Sequence, residues 1–147
     1  MPGERYPPRN LGLEDLIAVL VSEHAIMKEG LRRAKEATER RDFDSVSKAL
    51  KELDPIFRQH IADEESQILR LLISKLGVKG AAEEIRVFQQ HRPIYRLMEK
   101  VARLANLPTA ELEADQTELN ALFDEHTAAE ELHVFPRVAS LQKKQGL

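Results

Sequence analysis

The sequence contains no cysteine. Disulfides, thiolate nucleophiles and Cys-based zinc or iron–sulfur sites are therefore excluded, and nitrogen and oxygen remain as metal donors. Aromatic residues make up only 5%, while Ala, Leu, Glu, Lys and Arg recur throughout, a composition that favours helix over sheet. An excess of either charge is also missing: 22 Lys and Arg stand against 25 Asp and Glu, for a formal net charge of −3. No basic stripe of the kind that neutralises phosphates is visible, so nucleic acid is not an expected partner. No uncharged apolar run approaches the roughly 20 residues needed to cross a bilayer, so no membrane association is expected. The first twelve residues, MPGERYPPRNLG, lack the apolar segment of a signal peptide. A soluble, cytoplasmic protein is the expectation, with residues 1–12 as a flexible lead and residues 13–147 as one domain around one core.

What the chain does have is helical periodicity. From Leu13 the stripe runs Ile17, Leu20, His24, Met27, Leu31 in alternating steps of four and three. Arg40 and Arg41 suit the C-terminal end of that helix, and Asp42 can cap the next. The second stripe runs Val46, Leu50, Leu53, Phe57, His60, Glu64, Ile68, Leu71, and Gly77 and Gly80 permit the turn that stops it. A third helix starts near Ala81 and carries Phe88, His91, Tyr95 and Met98 until Asn106 and Pro108 end it. Thr109 can cap a fourth, whose inner face holds Leu112, Leu119, Phe123, His126, Glu130 and Val134, until Pro136 breaks or bends it. Connections this short predict an all-α, up-down-up-down four-helix bundle with a short C-terminal helix. Pro55 and Pro93 predict bends in the second and third helices.

The stripes contain an anomaly, since His24, His60, Glu64, His91, His126 and Glu130 fall on positions the spacing assigns to the interior. Taken singly, each has an ordinary explanation, a lone histidine on such a face being most often a hydrogen-bonded core residue. Height along the bundle ties them together. His24 lies 16 residues before Arg40 and His60 lies 18 after Asp42, an offset of only about 3 Å of rise. Glu64 and His91 level across the second turn in the same way, as do His91 and His126 across the third. Burying several carboxylates and imidazoles in one tier costs several kcal/mol per ion, which a bound cation would offset. The stretches HIADEE and HTAAEE place a glutamate four residues after a histidine, so both side chains reach inward from one helix face. The pair recurs at a single offset, the step from His60 to His126 being equal to that from Glu64 to Glu130. Two carboxylates, each able to bridge, suggest two metals.

The arrangement SEHAIM, HIADEE, QQHRPIY and HTAAEELHVFP resembles the hemerythrin-like (HHE cation-binding) family over roughly residues 13–140. The resemblance implies a four-helix bundle holding a non-haem di-iron centre, with other divalent metals open. His24 and His60 would bind one iron, His91 and His126 the other, and Glu64 and Glu130 would bridge. Such proteins bind or sense dioxygen, nitric oxide or peroxide. An enzyme of peroxide detoxification or of iron chemistry under oxidative or nitrosative stress is the alternative, and a metal-free helical interaction module a weaker one. A sensor would pass its signal to a separate protein partner.

Two departures from the oxygen carriers matter. Their third helix supplies HxxxH, whereas Tyr95 stands at the second position here, as a phenolate ligand, a hydrogen-bond donor to a group on the metals, or a core aromatic. The carriers also use an acid five residues after the last histidine, the place of Glu131, whereas the internal repeat favours Glu130. Glu131 and Glu65 are then expected near the helix surface. His133, about 10 Å along the axis from His126, is expected outside the centre. Its ExxH pairing with Glu130 has no second copy, which disfavours a ferritin-like scheme. Phe57, Phe88, Phe123, Leu20, Ile56 and Met98 are candidates to line a ligand pocket.

Overall fold

A computed structural model describes residues 6–105 and 110–145, and every regular element among them is helical. Helix α1 (Leu13–Glu39) begins with Glu14 and Asp15 in its first turn, where carboxylates suit the positive end of the helix dipole. It ends in a tight turn: Arg41 N–H donates to Thr38 O, and Asp42 N–H donates to Ala37 O. That reversal puts Arg41 in the left-handed region at φ 59°. Asp42 then caps α2 (Phe43–Asp63), accepting from the backbone N–H and the hydroxyl of Ser45, as its side-chain chemistry predicts.

Helix α2 runs on without a loop through a π-helical segment, Glu64–Leu69, into α3 (Arg70–Gly80). Gly77 interrupts α3 at φ 73°, ψ 170°, a conformation open essentially to glycine alone, so the second rod turns at the predicted place. The third rod is α4 (Ala82–Gln89) and α5 (His91–Leu104), separated at Gln90. The fourth is α6 (Ala110–Ala129), a second π-helical segment at Glu130–Val134, and α7 (Phe135–Gln145). The expected stop at Asn106 and Pro108 and the cap at Thr109 lie outside the described residues. The rods pack in a ring, α1 against α2 and α6, and α5 against α2 and α6, as an antiparallel bundle.

The expected break at Pro136 needs correction. Pro136 does not break the fourth helix: the wider π turn just before it gives its ring room against the preceding carbonyls, and α7 follows directly. The third rod does break as Pro93 predicts: its missing N–H removes the helical bond to Gln89 O, and the interruption falls at Gln90, within the turn before the ring, whereas Pro55 lies within an uninterrupted α2. Residues 6–12 form no helix and are tied to the bundle by hydrogen bonds. Arg9 donates from N–H and Nε to the fully buried Asp63 at 2.8 and 2.6 Å, and Arg9 O and Pro7 O accept from Gln67 and Gln59. A buried carboxylate needs a cationic partner, and the lead supplies it. Residues 1–5 lie outside the described part.

The apolar interior comes in two clusters. One gathers Met27, Leu31, Leu50, Leu53, Phe57 and Phe123 with their neighbours; the other gathers Leu16, Leu20, Ile68, Leu72, Phe88 and Val138 with theirs. Each rod passes from one cluster to the other, and the residues at the crossing are the histidines and glutamates of the anomaly.

Candidate metal centre

All six predicted residues are buried, from 0% exposure for Glu64 and Glu130 to 4% for His91, and they converge on one tier. Two overlapping groups form, His24, His60, Glu64 and Glu130, and Glu64, His91, His126 and Glu130. Within each group, one nitrogen or oxygen atom per residue lies within 4.8 Å of the rest.

The two glutamates tie the groups together. Glu64 Oε2 lies 3.3 Å from His60 Nε2 and its Oε1 2.9 Å from His91 Nε2. Glu130 repeats the pattern, Oε1 at 2.9 Å from His24 Nε2 and Oε2 at 3.3 Å from His126 Nε2. Each carboxylate thus offers one oxygen to either half. The longer approach of each pair lacks hydrogen-bond geometry, and both Oε2 atoms are buried without a hydrogen-bond partner among the described residues. Such orphaned charged oxygens are costly in a protein interior and fit a cation.

Ring orientation supports the same fit. Every imidazole uses Nδ1 outward: His24 to Glu131 at 2.8 Å, His60 to Glu23 at 3.0 Å, His91 to Glu65 at 2.9 Å and His126 to Gln90 Oε1 at 2.9 Å. An Nδ1–H donating to these oxygens leaves Nε2 as the lone-pair atom in a neutral ring, and all four Nε2 atoms face the centre. His24 Nε2 and His60 Nε2 are 3.1 Å apart, so two lone pairs would meet there without a proton or a cation. With protons alone, burial works against charge on His60, but Glu64, Glu130 and Glu23 outweigh it and raise the imidazole well above its ordinary range. His91 is raised in the same way, burial being overcome by Glu130, Glu64 and Glu65. Burial pushes Glu130 up, yet its polar contacts with Glu64, His126, His24 and His60 hold it well below the usual carboxylate range. The donor set of imidazole nitrogen and carboxylate oxygen suits first-row divalent metals.

Glu131 and Glu65 do lie near the surface, with side chains 35% and 49% exposed, but each turns back to hold a histidine. Glu23 and Gln90, immediately before His24 and His91 in the chain, complete the outer set and were missed in the sequence. The signal was available as the dipeptides EH and QH, which place a polar acceptor next to each unpaired histidine. Tyr95 is not in the centre: its hydroxyl accepts from Arg58, whose guanidinium lies 5.1 Å from the ring centroid, and its ring stacks on Phe57. Tyr95 therefore serves the α2–α5 contact. His133 is exposed and lies outside both groups. Of the candidate lining residues, Phe88 stacks on His91, while Phe57 and Phe123 approach His91 and His24 edge-on. Phe135, not singled out in the sequence, stacks on His24. Leu20 and Met98 are buried in the flanking clusters, and Ile56 is only half-buried. A surface cleft of about 550 Å³ reaches the centre's edge at His91, between Glu65, Phe88 and Arg92.

No helix among the described residues is long and apolar enough to cross a membrane. No curated protein and no solved structure gives a significant match to the chain. Residues 4–72 match the family model described as the hemerythrin HHE cation-binding domain. That stretch holds α1, α2 and the first π segment, with His24, His60 and Glu64; the second pair of rods repeats the arrangement at His91, His126 and Glu130. By this match, and by the helical bundle that carries it, the first pair of rods is similar to the hemerythrin HHE cation-binding domain.

Proposed function

We propose that the chain holds a non-haem di-iron centre and uses it to bind or sense a small ligand such as dioxygen, nitric oxide or peroxide. His24 and His60 would hold one iron, His91 and His126 the other, and Glu64 and Glu130 would bridge. The observation that carries this reading is the split of each glutamate, one oxygen toward either histidine pair. When bound, iron supplies coordination positions and redox chemistry toward such a ligand. The protein's part is to keep four Nε2 atoms aimed inward through Glu23, Glu65, Gln90 and Glu131, and to surround the tier with aromatic and aliphatic walls that restrict water. Access is narrow. With the six residues at most 4% exposed, the ligand is small, and the cleft at His91 is the nearest approach.

Anaerobic loading with ferrous iron should bring two ions per chain, and exposure to air should produce near-ultraviolet and visible absorption bands. A chain that takes up no iron under those conditions overturns the reading. The contrasting case, a metal-free interaction bundle, predicts that chelation leaves thermal stability unchanged.

A further inference from the structure

The outer ring of hydrogen bonds is symmetric at one pair of corners and unsymmetric at the other. His24 and His91 occupy equivalent places in the two halves, and both donate Nδ1–H to a carboxylate, Glu131 and Glu65. His60 and His126 are likewise equivalent, but His60 donates to the carboxylate of Glu23 and His126 to the neutral amide oxygen of Gln90. Glu23 and Gln90 directly precede the equivalent histidines His24 and His91, so they are one position of the repeat filled by two chemistries. A second difference comes from the lead segment. Arg9 holds Glu23 through two contacts at 2.9 and 3.0 Å and also binds the buried Asp63, whose counterpart, directly before the second bridging glutamate, is Ala129. One guanidinium is thus shared by two carboxylates in the first half, which keeps an excess negative charge that the second half lacks.

A carboxylate behind a ligating histidine fixes its tautomer and strengthens it as a donor, and loss of such a partner typically costs about 10–100-fold in metal affinity. An amide oxygen fixes the tautomer but adds no charge. We propose that the two halves are unequal by construction: the half of His24 and His60 takes a divalent cation first and more tightly, with Glu23 as the positioning residue responsible and Gln90 as its weakened counterpart. This rests on the metal-binding reading above and concerns the order of loading within it.

The test is calorimetric titration of the full chain with cobalt(II) alone, followed in parallel by visible absorption per ion added. The wild-type protein should bind in two steps separated by about 10-fold or more. Glu23→Gln should weaken the first step by about 10-fold and merge it with the second, and Gln90→Glu should strengthen the second toward the first. Thermal melts of the metal-free variants, unchanged from wild type, would show that the shifts are not loss of fold. If Glu23→Gln does not fold, Gln90→Glu carries the test by itself. Two wild-type steps of equal affinity, or variants that move neither step or the opposite one, overturn the inference while leaving a metal-binding bundle intact. Failure of the wild-type chain to bind cobalt or iron overturns the underlying reading and this inference with it.

Discussion

Single residues show how local electrostatics and backbone geometry hold the site in place. Asp63 is fully buried, and its charged partner Arg9 comes from outside the bundle proper. Arg9→Met should leave that carboxylate without a cation and destabilise the protein by about 1–3 kcal/mol, discounted because the guanidinium is partly exposed. Chemical denaturation would measure it, and pairing the change with Asp63→Asn should recover most of the loss. Arg41 is the opposite case, an L-residue held in the left-handed region by the turn that ends α1. Arg41→Gly should stabilise by up to about 1 kcal/mol, read as a raised midpoint with an unchanged slope. At this scale the inward set of histidines and glutamates was legible in the sequence because helical spacing places them on buried stripes. The roles of Glu65 and Glu131 were not, since a surface glutamate that reaches back to an imidazole has the same spacing as one that faces water.

Among the elements, the two π-helical segments are the feature that pattern reading missed. The buried positions run His60, Glu64, Ile68, Leu72 and again His126, Glu130, Val134, Val138. Steps of four drift by about 40° each on an α-helix, so three in succession would rotate the last residue away from the core. A π turn takes up that drift, and the π segments begin at Glu64 and Glu130. The uniform spacing was therefore a signal, and reading it as α-helix put Leu71 inside where Leu72 is the buried residue. Gly77 was legible as a turn because only glycine tolerates its backbone. Gly77→Ala meets open space, so its cost is purely conformational, about 1–3 kcal/mol by equilibrium unfolding. The break at Gln90 was legible from Pro93, whose ring and missing N–H act on the turn that precedes it. The C-terminal rod is fastened at its far end by Arg137, which pairs with the buried Glu84 at 2.6 Å and reaches Gly80 O.

On the scale of the whole molecule, composition and short connections were enough to predict an all-helical bundle, and the repeated pair of histidine and glutamate was enough to predict two related halves. The apolar interior is cut across by the tier of histidines and glutamates. Loading with a divalent metal at about 100 times its dissociation constant should add about 2.7 kcal/mol per ion and raise the melting temperature by several degrees, with a chelator reversing the change. Differential scanning calorimetry would register both. Because the tier separates two small oil-like lobes, neither lobe can rely on the other for cooperativity when only protons hold the waist. Amide hydrogens on either side should then exchange as two blocks of different lifetime, and an ion at the waist should make them open and close as one body.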